Sequence, residues 1–156
     1  MSHQLLWLVL SFVLAFIIVV QDFKERLISL WLVIIYFLSC CVYVWYFQGI
    51  ASLLSNALSV SLYMAFTYLV LKLYYFLKEG KFNRVMDKKI GWADALLFFS
   101  VGLTFDVVTL IVFSAALFVL SALLSLLLKS FRHYMPFGGV LVLFHNLLIA
   151  GFLVVK

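Results

Sequence analysis

Six apolar runs, each ended by charge or by a tight turn, constrain this chain more than anything else in its sequence. The hydrocarbon core of a bilayer is about 30 Å thick and takes about 20 apolar residues to cross as a helix. Inside it the backbone must satisfy its own hydrogen bonds, which a helix does within one segment. The expected spans are residues 5–21, 27–47, 50–77, 91–105, 107–128 and 137–155. Hydrophobic residues make up 68% of the 156 positions, and a single proline interrupts little. The expectation is an all-α integral membrane protein, a single domain over residues 1–156 built as a bundle of six transmembrane helices.

The spans differ in detail. The first lacks a basic region before it and is followed by charge, so it is expected to stay in the mature protein rather than leave as a signal peptide. The second carries Trp31, Tyr43, Trp45 and Tyr46 towards its ends, where amphipathic rings anchor at the interface. Gln48-Gly49 is a tight turn before a third run of about 42 Å if wholly helical. In that run Ser52, Ser55, Asn56 and Ser59 recur at helical spacing, as expected of a helix-packing face. The fifth run carries a similar stripe in Ser114, Ala115, Ser121, Ala122 and Ser125.

The formal charge of +5 raises a nucleic-acid partner as a class, but the basic residues punctuate apolar runs instead of forming a face. The positive-inside rule accounts for them. Lys24, Arg26, Lys78, Lys81, Arg84, Lys88, Lys89, Lys129 and Arg132 fall in the loops of one side, and only Lys156 falls on the other. That side is expected to be cytoplasmic. Cys40 and Cys41 are adjacent within an apolar run and have neither disulfide nor zinc-ribbon spacing. No His, Cys or carboxylate cluster has metal-ligand spacing, so no metal and no cofactor is expected.

Two acids stand out against this background. Asp94 lies about one helical turn inside the fourth span, where a carboxylate costs roughly 2.5–3.5 kcal/mol at mid-membrane and less near the interface. Asp22 closes the first span on the same expected face, whereas Asp106 lies a membrane thickness away. Two carboxylates facing each other at a partly dry site share one proton. One then takes a proton from water attacking a peptide carbonyl while its protonated partner polarises that carbonyl, the chemistry of an aspartic protease. Glu25, Glu79 and Asp87 share the face but lie among basic residues, where solvated ion pairs are the ordinary outcome.

The motifs around the two acids resemble those of type IV prepilin peptidases. Asp22-Phe23-Lys24-Glu25-Arg26-Leu27-Ile28 is similar to the first motif, an aspartate, basic residues and an isoleucine six positions on. Gly91-Trp92-Ala93-Asp94 resembles the glycine-x-glycine-aspartate signature shared with preflagellin peptidases and, more distantly, presenilins. Met135-Pro136-Phe137-Gly138-Gly139 is similar to the element that opens the last helix. The three occur in the family's order and cover essentially the whole chain.

The resemblance implies a membrane aspartic endopeptidase of the bacterial cytoplasmic membrane. It would cleave a prepilin-like precursor, a basic leader followed by an apolar helix, at the cytoplasmic face, with Asp22 and Asp94 catalytic and Ile28, Gly91, Ala93, Pro136 and Gly138 supporting. Glu25, Glu79, Asp87 and anionic lipid are the available partners for a basic leader. The family's second glycine is Ala93 here, the proline after its isoleucine is Ser29, and a common basic residue is Leu96. Alanine would be strained if that position needed a positive φ. The cytoplasmic domain that bifunctional members use for N-methylation has no counterpart, which implies a peptidase-only form. A non-catalytic scaffold retaining the fold is the alternative, with the altered second motif as its support. A transporter is a weaker rival, since only His145-Asn146 is polar near a span centre, where structural glue between helices is the simpler role.

The orientation has a direct test. Cysteines introduced as Arg84→Cys and Arg132→Cys are expected to react with an impermeant reagent only from the cytoplasmic side, and labelling from the periplasmic side would overturn both the topology and the placement of the acids.

Overall fold

The computed structural model describes residues 2–25, 28–79, 91–127 and 137–155, and among them every regular element is a helix. In chain order these are α1 (Ser2–Glu25), α2 (Leu30–Gln48), α3 (Ile50–Glu79), α4 (Trp92–Gly102), α5 (Val107–Leu127) and α6 (Phe137–Val155). Four of them, α1, α2, α3 and α5, are long and apolar enough to cross a membrane. The stripe Leu58, Leu62, Phe66 and Leu69 on α3 is more than 60% exposed at every position. An apolar face left bare in this way suits an apolar solvent. Trp31 and Trp45 are exposed near the two ends of α2, as anchors at two interfaces would be.

Two boundaries differ from the sequence expectation. The first helix continues through Asp22 to Glu25 instead of ending in a polar loop at residue 21, with Gln21 Nε2 donating to Glu25 Oε2 one turn on. The fourth segment is helical for only 11 residues and then turns at residues 103–105. At 1.5 Å per residue α4 is about 16 Å long, roughly half a hydrocarbon core.

That short helix is the centre of the bundle. It packs on α2, α6 and α3, while α1 lies most extensively along α6. Its buried side chains, Leu97, Phe98 and Val101, join Ile18 of α1, Val33 and Tyr36 of α2, Val60 of α3 and Leu141 of α6 in one apolar core. Lipid tails are as apolar as these side chains, so association rests on close packing and interhelical hydrogen bonds rather than on expulsion of water. At Gly102 the helices α3 and α4 are so close that a Cβ would overlap Cγ2 of Val60.

Turning a chain within apolar packing leaves carbonyls to satisfy, and the neighbours do so. Asn56 of α3 donates to the Leu103 carbonyl at 2.9 Å, and Gln48 of α2 to that of Thr104 at 3.4 Å. The serine stripe of α3 is therefore only partly a packing face, because Asn56 is buried but Ser55 is exposed. On α5 the same split appears, with Ser114 and Ser121 buried and Ala115 and Ala122 exposed, while the Ser125 side chain lies outside the described set.

His145 and Asn146, fully buried on α6, complete this base. The Thr104 hydroxyl donates its one proton to the Val101 carbonyl, so at 2.8 Å it accepts from His145 Nε2. His145 Nδ1 then accepts from the Tyr36 hydroxyl at 2.6 Å, and that oxygen accepts from Asn146 Nδ2 at 3.2 Å. Asn146 Oδ1 in turn accepts from Ser11 of α1 at 2.7 Å. One directed chain of hydrogen bonds thus links α1, α6, α2 and the turn after α4, in keeping with structural glue. Outside it, Asp106 accepts from the Thr109 hydroxyl and the Val108 N–H. These bonds, the Thr109 hydroxyl above all, hold its carboxyl below the usual carboxylate range.

Gly102→Ala is expected to destabilise the fold by ~1–3 kcal/mol through overpacking. Adding Val60→Ala should restore part of that loss, a coupling expected only between residues in contact. Thermal unfolding in detergent checks both, and an unchanged midpoint for Gly102→Ala would contradict the packing described.

Candidate active site

Asp22 and Asp94 come from different helices and meet at the start of a third. Asp22 lies in the last turn of α1 and Asp94 in the first turn of α4. Both reach the N-terminus of α6, where the first N–H groups have no partner within their own helix. The Gly139 N–H donates to Asp22 Oδ2 at 2.7 Å. Asp94 Oδ1 lies against the adjoining Gly138, 2.8 Å from where a Cβ there would sit. Neighbouring Cα atoms are about 3.8 Å apart, so Asp22 and Asp94 are brought to adjacent residues at one helix start.

The glycines are there for room. A Cβ on Gly138 would fall 2.8 Å from Asp94 Oδ1 and 2.5 Å from Cδ1 of Ile28. On Gly139 it would meet Asp22 Oδ2 at 3.2 Å and the Val19 Cα at 3.4 Å, which is how α1 comes to lie so close along α6. The helix macrodipole adds to the N–H donors, placing partial positive charge where both acids point. Asp22 is only 7% exposed and Asp94 is partly buried, so both acids are largely withdrawn from the surface.

Of the other residues expected at the site, Ile28 lies against Gly138 as just described. Gly91 is the N-cap of α4 at φ −73°, ψ 143°, an extended conformation open to any residue. Ala93 lies in the first turn of α4, partly buried against the core. Helical backbone has negative φ, so alanine at this departure from the motif is unstrained. Leu96 is exposed on the same helix. Pro136 lies outside the described residues, as do Lys88, Lys89 and Asp87. Glu25 is exposed about one turn beyond Asp22, and Asp106 stands at the far end of α4, across the turn. Among the described residues, no three His, Cys, Asp or Glu side chains group so as to hold a metal ion.

Two contributors were not singled out from sequence. Gly139 is the donor to Asp22, though it counted only as part of a motif. Gln21, the last residue of the expected first span, uses its Oε1 to accept the Ser29 N–H at 3.0 Å, tying the start of α2 to the residue before Asp22. Two glycines opening an apolar helix are a legible sign of close approach at a helix N-terminus. Gln21 carries no such sign. Set against known families, curated proteins and solved structures, the chain matches none.

Gly138→Ala is expected to destabilise the protein by ~1–3 kcal/mol, since its Cβ displaces Asp94 or Ile28. Gly91→Ala is the matched comparison. Its Cβ would meet Asp94 Oδ2 at an ordinary 3.4 Å, so a change within ~0.5 kcal/mol is expected. Equal losses in thermal unfolding for the two variants would show that the space at Gly138 is not what matters.

Proposed function

We propose that this chain is a membrane-embedded aspartic endopeptidase of the prepilin peptidase kind, acting on precursors with a basic leader ahead of an apolar helix. The observation that carries the reading is the convergence of Asp22 and Asp94 on the adjacent residues Gly138 and Gly139. All three motifs of the family resemblance contribute to one place. Chain separation makes this informative, because Asp22 and Gly139 are 117 positions apart.

In the proposed mechanism the pair shares one proton, since two adjacent carboxylates in apolar surroundings do not both ionise. The ionised member takes a proton from a water molecule as its oxygen attacks the peptide carbonyl. The protonated member donates to the carbonyl oxygen, and the tetrahedral intermediate collapses with proton return to the leaving amine. The Gly139 N–H fixes the Asp22 carboxyl in advance, and packing against Gly138 confines that of Asp94. A preorganised site avoids reorienting dipoles during the reaction.

The reading includes six membrane segments, with α4 reaching partway from its turn at residues 103–105. Both acids stand on the cytoplasmic side of a bacterial inner membrane. The excess of Lys and Arg in the loops supports that orientation, and Glu25 beside Asp22 offers one contact for a basic leader.

Asp22→Asn and Asp94→Asn retain volume and one acceptor oxygen for the α6 donors, so folding is expected to survive while cleavage falls by at least ~100-fold in each. Because the acids act as a unit, the double variant should be scarcely worse than either single one. Asp106→Asn is the control, expected within a few-fold of wild type, since asparagine also caps a helix well. Cleavage of a pilin-like precursor in proteoliposomes, at equal amounts of folded protein, decides it. Substantial activity in Asp94→Asn would sink the mechanism and favour the non-catalytic scaffold.

A further inference from the structure

We propose that α3 is a dimerisation helix, against which the α3 of a second copy of this chain packs in the membrane. Helix α3 reaches farther than its neighbour. At 1.5 Å per residue its 30 residues extend about 45 Å, against about 28 Å for the 19 of α2, to which Gly49 joins it. The two helices pack on each other, and α4 fixes their relative height. Phe37 of α2 lies against Phe99 of α4, and Tyr63 of α3 stacks on the adjoining Phe98. Leu30, where α2 begins, is therefore level with about residue 70 of α3. A helix as long as α2 fills a hydrocarbon core, and its exposed Trp31 and Trp45 mark the two interfaces. The remainder of α3, about two turns ending at Glu79, stands beyond that core.

Two neighbouring rows on the open side of α3 cross this level in opposite ways. The first is Leu54, Leu58, Ser61, Ala65, Tyr68 and Lys72, all exposed. It is apolar through the core apart from Ser61, which donates to the Ala57 carbonyl of its own helix at 2.7 Å, and it turns to tyrosine and lysine at the interface. A face in contact with lipid has this order. The second row is Ser55, Ser59, Leu62, Phe66, Leu69 and Leu73, exposed throughout except for the half-buried Ser59. It starts with hydroxyls inside the core and carries leucine out past the interface, where Leu73 is 53% exposed. Lipid suits neither end of that row, and a second helix suits both. Small serines let two backbones approach closely, and the Ser59 hydroxyl needs no partner from outside because it donates to the Ser55 carbonyl at 2.8 Å. Beyond the core, pairing withdraws Leu69 and Leu73 from water. The steps of the row alternate four and three, so a helix of left-handed supercoil can follow it along its length. The partner helix has to place small residues level with these serines and apolar ones past the same interface. A second copy inserted in the same orientation does so by construction, since a two-fold axis along the membrane normal sets each residue of α3 against its own counterpart.

The test is cross-linking of the full chain in proteoliposomes. With Cys40 and Cys41 replaced by alanine, single cysteines are introduced as Leu62→Cys, Leu69→Cys or Leu73→Cys in the second row and as Leu54→Cys or Tyr68→Cys in the first, and are then oxidised. Covalent dimer is expected to form at least ~10-fold faster from the second row, because a disulfide closes only between Cβ atoms that already face each other. Equal rates from the two rows would mark chance collision and overturn the proposal. Cys40 is buried in the core, so a second measurement keeps both native cysteines. Counting bleaching steps of single labelled molecules at high dilution in lipid is expected to show dimers for the wild type. Leu69→Lys combined with Leu73→Lys, at exposed positions, should raise the dimer dissociation constant by at least ~10-fold through like-charge repulsion across the axis. A monomeric wild type, which would leave the row to a different membrane helix, or a dimer indifferent to the two lysines would each overturn the proposal.

Discussion

Backbone N–H and C=O groups in apolar surroundings have only the protein to bond with, and each one left alone is costly. Helices meet the constraint along their length and fail it at their ends. Among the described residues, the turn after α4 and the start of α6 fall inside the packing, and each is answered by side chains from other helices. Carbonyls at residues 103 and 104 meet amides, from Asn56 and Gln48. At the start of α6 the Gly139 N–H meets the Asp22 carboxylate, with Asp94 lying against Gly138. The same rule produces a neutral polar base at one end and an acidic site at the other.

This makes the acids structural as well as chemical. A donor that loses its acceptor in a dry place is penalised by ~1–3 kcal/mol, so the site and the α1–α6 packing stand or fall together. Helix α6 gains the carboxylates as caps supplied from outside its own sequence, and the two acids gain fixed orientations. Glycine at 138 and 139 is the condition for both, because a side chain at either position would occupy the space the carboxyl groups use.

How much of this was legible in sequence depended on the scale of the signal. Continuous apolar runs set the helices, with α2, α5 and α6 starting and ending close to where hydropathy puts them. Charge hides the end of α1, because Asp22, Lys24 and Glu25 read as a polar loop although lysine and glutamate are good helix formers and the helix runs on to Glu25. It also hid the shortness of α4, since hydropathy continues unbroken from Ala95 through Phe105 while the backbone does not. The two aspartates were found because acids in apolar sequence are conspicuous. Gln21 and Gly139 were missed because their roles depend on partners 8 and 117 positions away, a pairing that no local pattern encodes.

The geometry of α4 has a mechanical consequence. Its far end is clamped, with Leu103 and Thr104 held from α3, α2 and α6, and its near end carries Asp94. Leu103 lies about 13 Å of helical rise from Asp94, on a helix packed against α2, α3 and α6. An element this short moves as one piece, so a shift at the turn is passed on to the carboxylate. The directed relay from Ser11 through Asn146, Tyr36 and His145 to Thr104 sets the angle of that clamp, so the bearing of the acid is decided at the opposite end of the bundle.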